Sequence, residues 1–227
     1  MQRAWFVTGT DTGVGKTLVS TALLTALARS GRRVIGMKPV ASGCHDTPHG
    51  VRSPDVEALC AASNVAADYA DVNPYALAAP TAPHLAAVAE GRQIDIGIIH
   101  AHYARLAQRA DDMVVEGIGG WLVPISGTQT MADMVRTLEL PVILVVGLRL
   151  GCLSHALLTQ RAVAEDGCRL QAWVANALEG DMPEGYVEAL TERLDAPCLG
   201  VIPPVASLAV AADKLDLRVF DVNQKPR

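Results

Sequence analysis

Gly9-Thr10-Asp11-Thr12-Gly13-Val14-Gly15-Lys16-Thr17 is the stretch whose reading decides the fold. Just upstream, residues 4–8 form a short apolar run with strand character. Just downstream, residues 16–30 place Leu18, Ala22, Leu23, Ala26 and Leu27 on one helical face, and Gly31 supplies a stop. A glycine-rich turn between a strand and a helix lets the main chain wrap closely, so its N–H groups converge on one concavity. The helix start adds unpaired N–H groups and the positive end of its dipole, and the two together bind anions. Lys16 then supplies a cation for the outer phosphates of a nucleotide, and the Thr17 hydroxyl a ligand for Mg²⁺. Gly13, Val14, Gly15, Lys16 and Thr17 are therefore the phosphate-binding candidates. Gly9 and Gly15 stand one residue further apart than the common phosphate-loop spacing. The coincidence of strand, glycines, Lys, Thr and helix outweighs that difference, and with it the reading as an ordinary Gly-rich turn.

The same alternation continues along the chain. Residues 33–40, 113–116, 142–147, 171–175 and 198–202 read as strands; residues 55–62, 94–109, 130–138, 154–166 and 184–194 read as helices. Residues 71–84 contain Pro74, Pro80 and Pro83 and read as a structured loop. Strand–helix alternation means right-handed βαβ units and a mainly parallel sheet flanked by helices. The expected fold is α/β and P-loop NTPase-like, in a single domain, since no linker or repeat divides the chain. Half of the 227 residues are hydrophobic and only 4% aromatic, so the core has to be built from Ala, Val, Leu and Ile, as buried parallel strands usually are.

Composition also excludes. A net charge of −5 argues against a nucleic-acid partner, because phosphate backbones select basic surfaces. Apolar runs such as 142–146 are far shorter than the roughly 20 residues a membrane helix needs. Met1-Gln2-Arg3 leads straight into the first strand without the pattern of a signal peptide. Five cysteines without a Cys-x-x-Cys fit reduced thiols, so a cytoplasmic location is expected. His100 and His102 are two apart on a helical pattern and face different ways, so no histidine metal site is expected.

A phosphate loop needs an acidic partner for its metal at the end of a neighbouring strand. Glu116 ends the run Met113-Val114-Val115 and leads into Gly117-Ile118-Gly119-Gly120, where glycines permit close approach to a nucleotide. Its alternative is a strand-end carboxylate facing water. Lys38, at the end of the second strand, is placed to neutralise charge on a transferred phosphoryl group, or else is simply solvated. Asp55, after Ser53-Pro54, reads equally as a metal ligand or as part of a helix start.

Several longer strings carry a resemblance. They are residues 6–12, Gly15-Lys16-Thr17, Lys38-Pro39-Val40-Ala41-Ser42-Gly43, Val72-Asn73-Pro74-Tyr75, Pro80-Thr81-Ala82-Pro83-His84, residues 115–121 and Trp173-Val174-Ala175-Asn176. In order and content they resemble the dethiobiotin synthetases, over about residues 4–204. The resemblance implies a homodimer that closes the ureido ring of dethiobiotin from 7,8-diaminopelargonic acid and CO₂, consuming ATP with Mg²⁺. A carbamate forms on one amine, ATP phosphorylates it to a carbamic-phosphoric mixed anhydride, and the second amine expels phosphate. By matching position, Lys16 and Lys38 stabilise the transferred group, Thr17, Asp55 and Glu116 hold Mg²⁺, and Thr12 and Ser42 hold the diamine or its carbamate. Gly117, Ile118 and Gly119 border the nucleotide. Asn176 with Ala177 reads the adenine, helped by Pro203, Pro204 and Val205. The substrate carboxylate rests on Gly151, Cys152, Leu153 and Ser154 of the partner subunit, near Tyr186. Gly13 replaces an acidic residue, and Ser154 an Asn, found in some relatives; after Val205 the match fades.

Two rivals share the phosphate loop. Partitioning-type switch ATPases carry an extra Lys near the loop's start, at the position where this sequence has Asp11. The amide-forming relatives carry a glutaminase domain, for which a chain ending at Arg227 is expected to have no room.

Overall fold

Short β-branched runs that are apolar throughout can be buried only in a sheet with helices on both faces, and such a sheet is what they form. The computed structural model describes residues 2–178, 184–204 and 207–222. In chain order the elements are β1 (Arg3–Gly9), α1 (Lys16–Arg29), β2 (Val34–Met37), β3 (Val40–Ala41), β4 (His45–Thr47), β5 (Gly50–Arg52), α2 (Pro54–Ala62), α3 (Tyr69–Val72), β6 (Tyr75–Ala76), α4 (Pro83–Ala89), α5 (Ile96–Ala107), β7 (Asp112–Glu116), α6 (Met131–Leu138), β8 (Val142–Leu148), α7 (Cys152–Glu165), β9 (Leu170–Ala177), α8 (Tyr186–Thr191), β10 (Cys198–Ile202), α9 (Leu208–Ala212) and α10 (Val219–Val222).

The central sheet has six strands in the order β10-β9-β8-β1-β7-β2, and each neighbouring pair is parallel. Its strand β1 shows the period of two directly. Trp5 and Val7 pack with Leu23, Leu24 and Leu27 of α1, while Phe6 packs on the other face with Ile99 and Leu106 of α5 and Met134 and Val135 of α6. Under the β8–β9 end a third cluster joins Leu144, Val146 and Trp173 to Ala156 of α7 and Leu190 of α8. At the amino ends of the strands, fully buried Asp112 is paired with Arg3 and Arg32, so that charge belongs to the scaffold.

The expected strand 33–40 is not continuous. It stops at Met37, and Val40–Ala41 form a separate parallel pair with Tyr75–Ala76. Pro39 has no N–H to continue a ladder, and the Lys38 N–H turns to the Val72 carbonyl at 3.0 Å. The expected loop over 71–84 holds the end of α3, the strand β6 and the start of α4, where Pro83 occupies the first turn. The stretch containing His45 and His49 folds into the antiparallel pair β4–β5. The helix expected over 94–109 starts at Ile96 because Asp95 accepts from Gly97 N (2.6 Å) and Ile98 N (3.4 Å) and caps it.

Candidate functional site

The phosphate loop joins the carboxyl end of β1 to the start of α1, at the middle of the sheet. Gly15 has φ +88°, and a Cβ there would lie 2.1 Å from Asn176 Nδ2, so the position requires glycine on both counts. Gly9 is as confined, since a Cβ would meet Val14 Cγ2 at 2.6 Å. Val14 is fully buried, and its side chain packs against Gly9 and Gly147. Lys16 Nζ donates to the Asp11 carbonyl (2.9 Å), folding back along the loop. The Asp11 carboxylate in turn accepts from Thr12 N (2.7 Å) and from Arg149 Nη2 (2.6 Å).

Two strand ends and one helix start deliver the charged groups. Glu116, fully buried at the end of β7, accepts on Oε1 from Thr17 Oγ1 (2.8 Å) and Lys38 Nζ (2.5 Å). Lys38 Nζ also donates to Asp55 Oδ2 (2.8 Å). Asp55 is the second residue of α2, behind the N-cap Ser53 and Pro54, and its side chain turns to Lys38. Thus Thr12, Gly13, Gly15, Lys16, Thr17, Lys38, Ser42, Asp55, Glu116, Ile118 and Gly119 line one cleft of about 350 Å³. Gly117 serves differently: its N–H donates to the Val7 carbonyl (3.0 Å) and it lies against Phe6, carrying the chain from the sheet into the cleft wall.

Burial pulls the Lys16 ammonium down to a pKa of about 8, and the positive charge of Lys38 adds to the effect. Burial also opposes the charge of Lys38, but the Glu116 and Asp55 carboxylates outweigh it and hold Lys38 above the ordinary lysine value. Burial disfavours ionised Asp55, and Lys38 more than offsets that, so its carboxyl lies below the usual range. A hydroxyl and two carboxylates form a set of hard oxygen donors suited to Mg²⁺. Glu116 Oε2 adds to the fit, being buried without a hydrogen-bond partner among the described residues.

A second cavity, of about 430 Å³, opens on the other side of the loop, between Leu18 of α1, Asn176-Ala177-Leu178, Pro203-Pro204 and Ser207-Leu208. Asn176 Nδ2 donates to the Val14 carbonyl (3.0 Å), while its buried Oδ1 has no partner among the described residues. Val205 lies outside the described residues. Gly151, Cys152, Leu153 and Ser154 line neither cavity; Cys152 and Leu153 pack with Tyr186 in the cluster between α7 and α8. The sequence reading gave no role to Arg149 or Asn73. Arg149 is 138 positions from Asp11 and no pattern joins them, whereas Asn73 stood inside one of the quoted family strings.

A family model described as an AAA domain matches residues 3–212. The ATP-dependent dethiobiotin synthetase BioD of Xanthomonas euvesicatoria pv. vesicatoria is 51% identical over 218 residues, 94% of this chain and 97% of that protein. The protein of the same name from Cellvibrio japonicus is 47% identical over 220 residues, 95% of this chain and 96% of that protein. Among solved structures, the septum site-determining protein MinD of Pyrococcus horikoshii, complexed with Mg-ADP, is similar with a TM-score of 0.56 at 16% identity, over 99% of this chain and 97% of that one. A chain of the MinC:MinD cell division protein complex of Aquifex aeolicus gives 0.58 at 17%, over 97% and 89%. At such identities these two structures speak for a shared phosphate-loop fold and nothing finer. The sequence relatives span nearly all of both chains, and with the cleft they settle the family: this chain belongs to the ATP-dependent dethiobiotin synthetases.

Proposed function

We infer that the protein is a C–N bond-forming ligase of biotin biosynthesis. It closes a ureido ring on 7,8-diaminopelargonic acid with CO₂ and ATP, releasing dethiobiotin, ADP and phosphate. The observation that carries this reading is the placement of Lys38 between Glu116 and Asp55, across the cleft from Lys16 and the phosphate loop. Two ammonium groups facing one anion-binding loop suit the transfer of a phosphoryl group to an acceptor bound between them.

The acceptor is a carbamate formed when one substrate amine adds to CO₂. A carbamate oxygen leaves poorly, and phosphorylation corrects that. The second amine, held on the same molecule, then attacks the carbonyl, and the bond to the phosphate oxygen breaks as the ring closes. Thr12 and Ser42, both lining the cleft, hold the diamine end. Main-chain N–H groups of 13–17 and Lys16 bind the phosphates, and Lys38 stabilises the group in transit. Thr17, Asp55 and Glu116 would hold Mg²⁺, which when bound neutralises phosphate charge. Asn176, which lines the second cavity and has a buried Oδ1 without a partner among the described residues, reads the base. Gly151, Cys152, Leu153, Ser154 and Tyr186 would serve the cleft of a second copy in a homodimer, where the N-terminus of the 14-residue helix α7 suits the substrate carboxylate. Among the described residues no helix is long and apolar enough to cross a membrane, in keeping with a cytoplasmic biosynthetic enzyme.

The switch ATPase is disfavoured by Asp11, whose carboxylate is paired with Arg149 where that family places a lysine. The test is mass spectrometry of protein incubated with 7,8-diaminopelargonic acid, bicarbonate, Mg²⁺ and ATP. A product heavier by one carbonyl and lighter by two hydrogens, requiring every component, is expected. ATP hydrolysis without that product would transfer the assignment to the switch ATPase.

A further inference from the structure

The string Val72-Asn73-Pro74-Tyr75 has no part in the cleft lining, yet it holds the segment that does. Lys38 stands where β2 leaves the central sheet, and both of its main-chain polar groups are bound by consecutive residues. Its N–H donates to the Val72 carbonyl (3.0 Å), and its carbonyl accepts from Asn73 Nδ2 (2.7 Å). The same Nδ2 lies 3.4 Å from the Tyr75 carbonyl, and Tyr75 N donates to the Pro39 carbonyl (3.1 Å). From there the β3–β6 pairing carries the chain to Ser42. Asn73 is only 4% exposed, and its Oδ1 is buried without a partner among the described residues. An unpaired buried acceptor is a standing cost, so the side chain is explained by its donor end and not by packing.

We propose that Asn73 is a positioning residue for Lys38: its amide fixes the carbonyl at the break between β2 and β3, and so aims the Lys38 ammonium at the transferred phosphoryl group. The proposal rests on the phosphoryl-transfer role given to Lys38. Without the amide donor the Lys38 carbonyl loses its partner and the break is held only by the Val72 and Pro39 main-chain bonds, which lets Nζ shift from Glu116 and Asp55. Displacements of about 1 Å in a reacting group can cost on the order of a hundredfold in rate.

The test compares Asn73→Ala, Asn73→Asp and Lys38→Ala in steady-state assays across pH, with far-UV circular dichroism and melting temperature as folding controls. Asn73→Ala is expected to fold, to lose about tenfold or more in kcat, and to keep KM for ATP within about threefold, because the phosphate loop is untouched. In Asn73→Asp the ionised carboxylate cannot donate to the Lys38 carbonyl, whereas the protonated acid can. Burial raises the pKa of such a carboxyl. Its activity relative to wild type should therefore climb as pH falls from 8 to about 6, a trend a merely structural residue would not give. Should Asn73→Ala fail to fold, the Asp variant decides alone: a pH profile parallel to wild type overturns the proposal, and so does misfolding of both variants. If Lys38→Ala is inactive while Asn73→Ala turns over like wild type, positioning by Asn73 is wrong and the role of Lys38 stands. If Lys38→Ala is itself near wild type, the role of Lys38 falls and this proposal falls with it.

Discussion

Lys16 and Lys38 carry the same charge in opposite surroundings. Lys38 is flanked by two carboxylates and keeps its proton through the physiological range, while Lys16, buried and facing Lys38, has a pKa of about 8. The sign of the consequence follows from linkage. A triphosphate favours the protonated lysine, and the free protein loses that proton as pH rises through about 8. ATP affinity is therefore expected to be level below neutrality's upper edge and to weaken about tenfold between pH 7 and pH 9, the change in protonated fraction for such a group. Lys16→Arg should flatten that fall, because a guanidinium stays charged. Isothermal titration with a non-hydrolysable ATP analogue measures both, and a wild-type Kd that does not change over this interval would show that Lys16 is not the titrating phosphate contact. At this scale the sequence names candidates but not their company: Lys38, Glu116 and Asp55 were each ambiguous alone, and the structure brings the three side chains together at one point. Arg149 was silent because a contact spanning 138 positions leaves no spacing to read.

Elements long enough to show a period were legible; those two or three residues long were not. The strands β1, β7, β8, β9 and β10 and the helix α1 were expected within a few residues of where they lie, because burial on a sheet or a helix face repeats along the chain. The pairs β3–β6 and β4–β5 escaped because two or three residues define no alternation, and their pairing is set by partners elsewhere in the chain. The break at Lys38-Pro39 was visible as a proline but not as a change of sheet. Gly36, two residues before Lys38 and within β2, shows how tightly the strand is packed. A Cβ there would lie 2.8 Å from Leu24 Cδ1 of α1 and 3.0 Å from Leu59 Cβ of α2. Gly36→Ala overpacks that junction of two helices and a strand, and is expected to lower unfolding free energy by about 1–3 kcal/mol in urea titrations. A neutral or stabilised variant would mean that α1 and α2 sit less closely on β2 than described.

The whole molecule is built on a parallel sheet, five of whose six strands contribute to one edge: β1 the phosphate loop, β2 Lys38, β7 Glu116, β8 Arg149 and β9 Asn176. That edge is where open parallel sheets bind ligands, with the nucleotide site at the crevice beside the central strand. On the proposed reading, one copy supplies phosphate loop, metal ligands and diamine contacts, and a second supplies the start of α7 and Tyr186, which line neither cavity of their own chain. The sequence told the family through strings spread over most of its length; it could not tell how the cleft residues meet, because that is fixed by sheet order. The central claim is that ATP activates a carbamate, and its oxygen atoms record this. With ¹⁸O-labelled bicarbonate and an assay short compared with isotope exchange, the phosphate released should carry one ¹⁸O for each ring closed, since the carbamate oxygen that receives the phosphoryl group leaves with it. Ring closure accompanied by unlabelled phosphate would contradict the account.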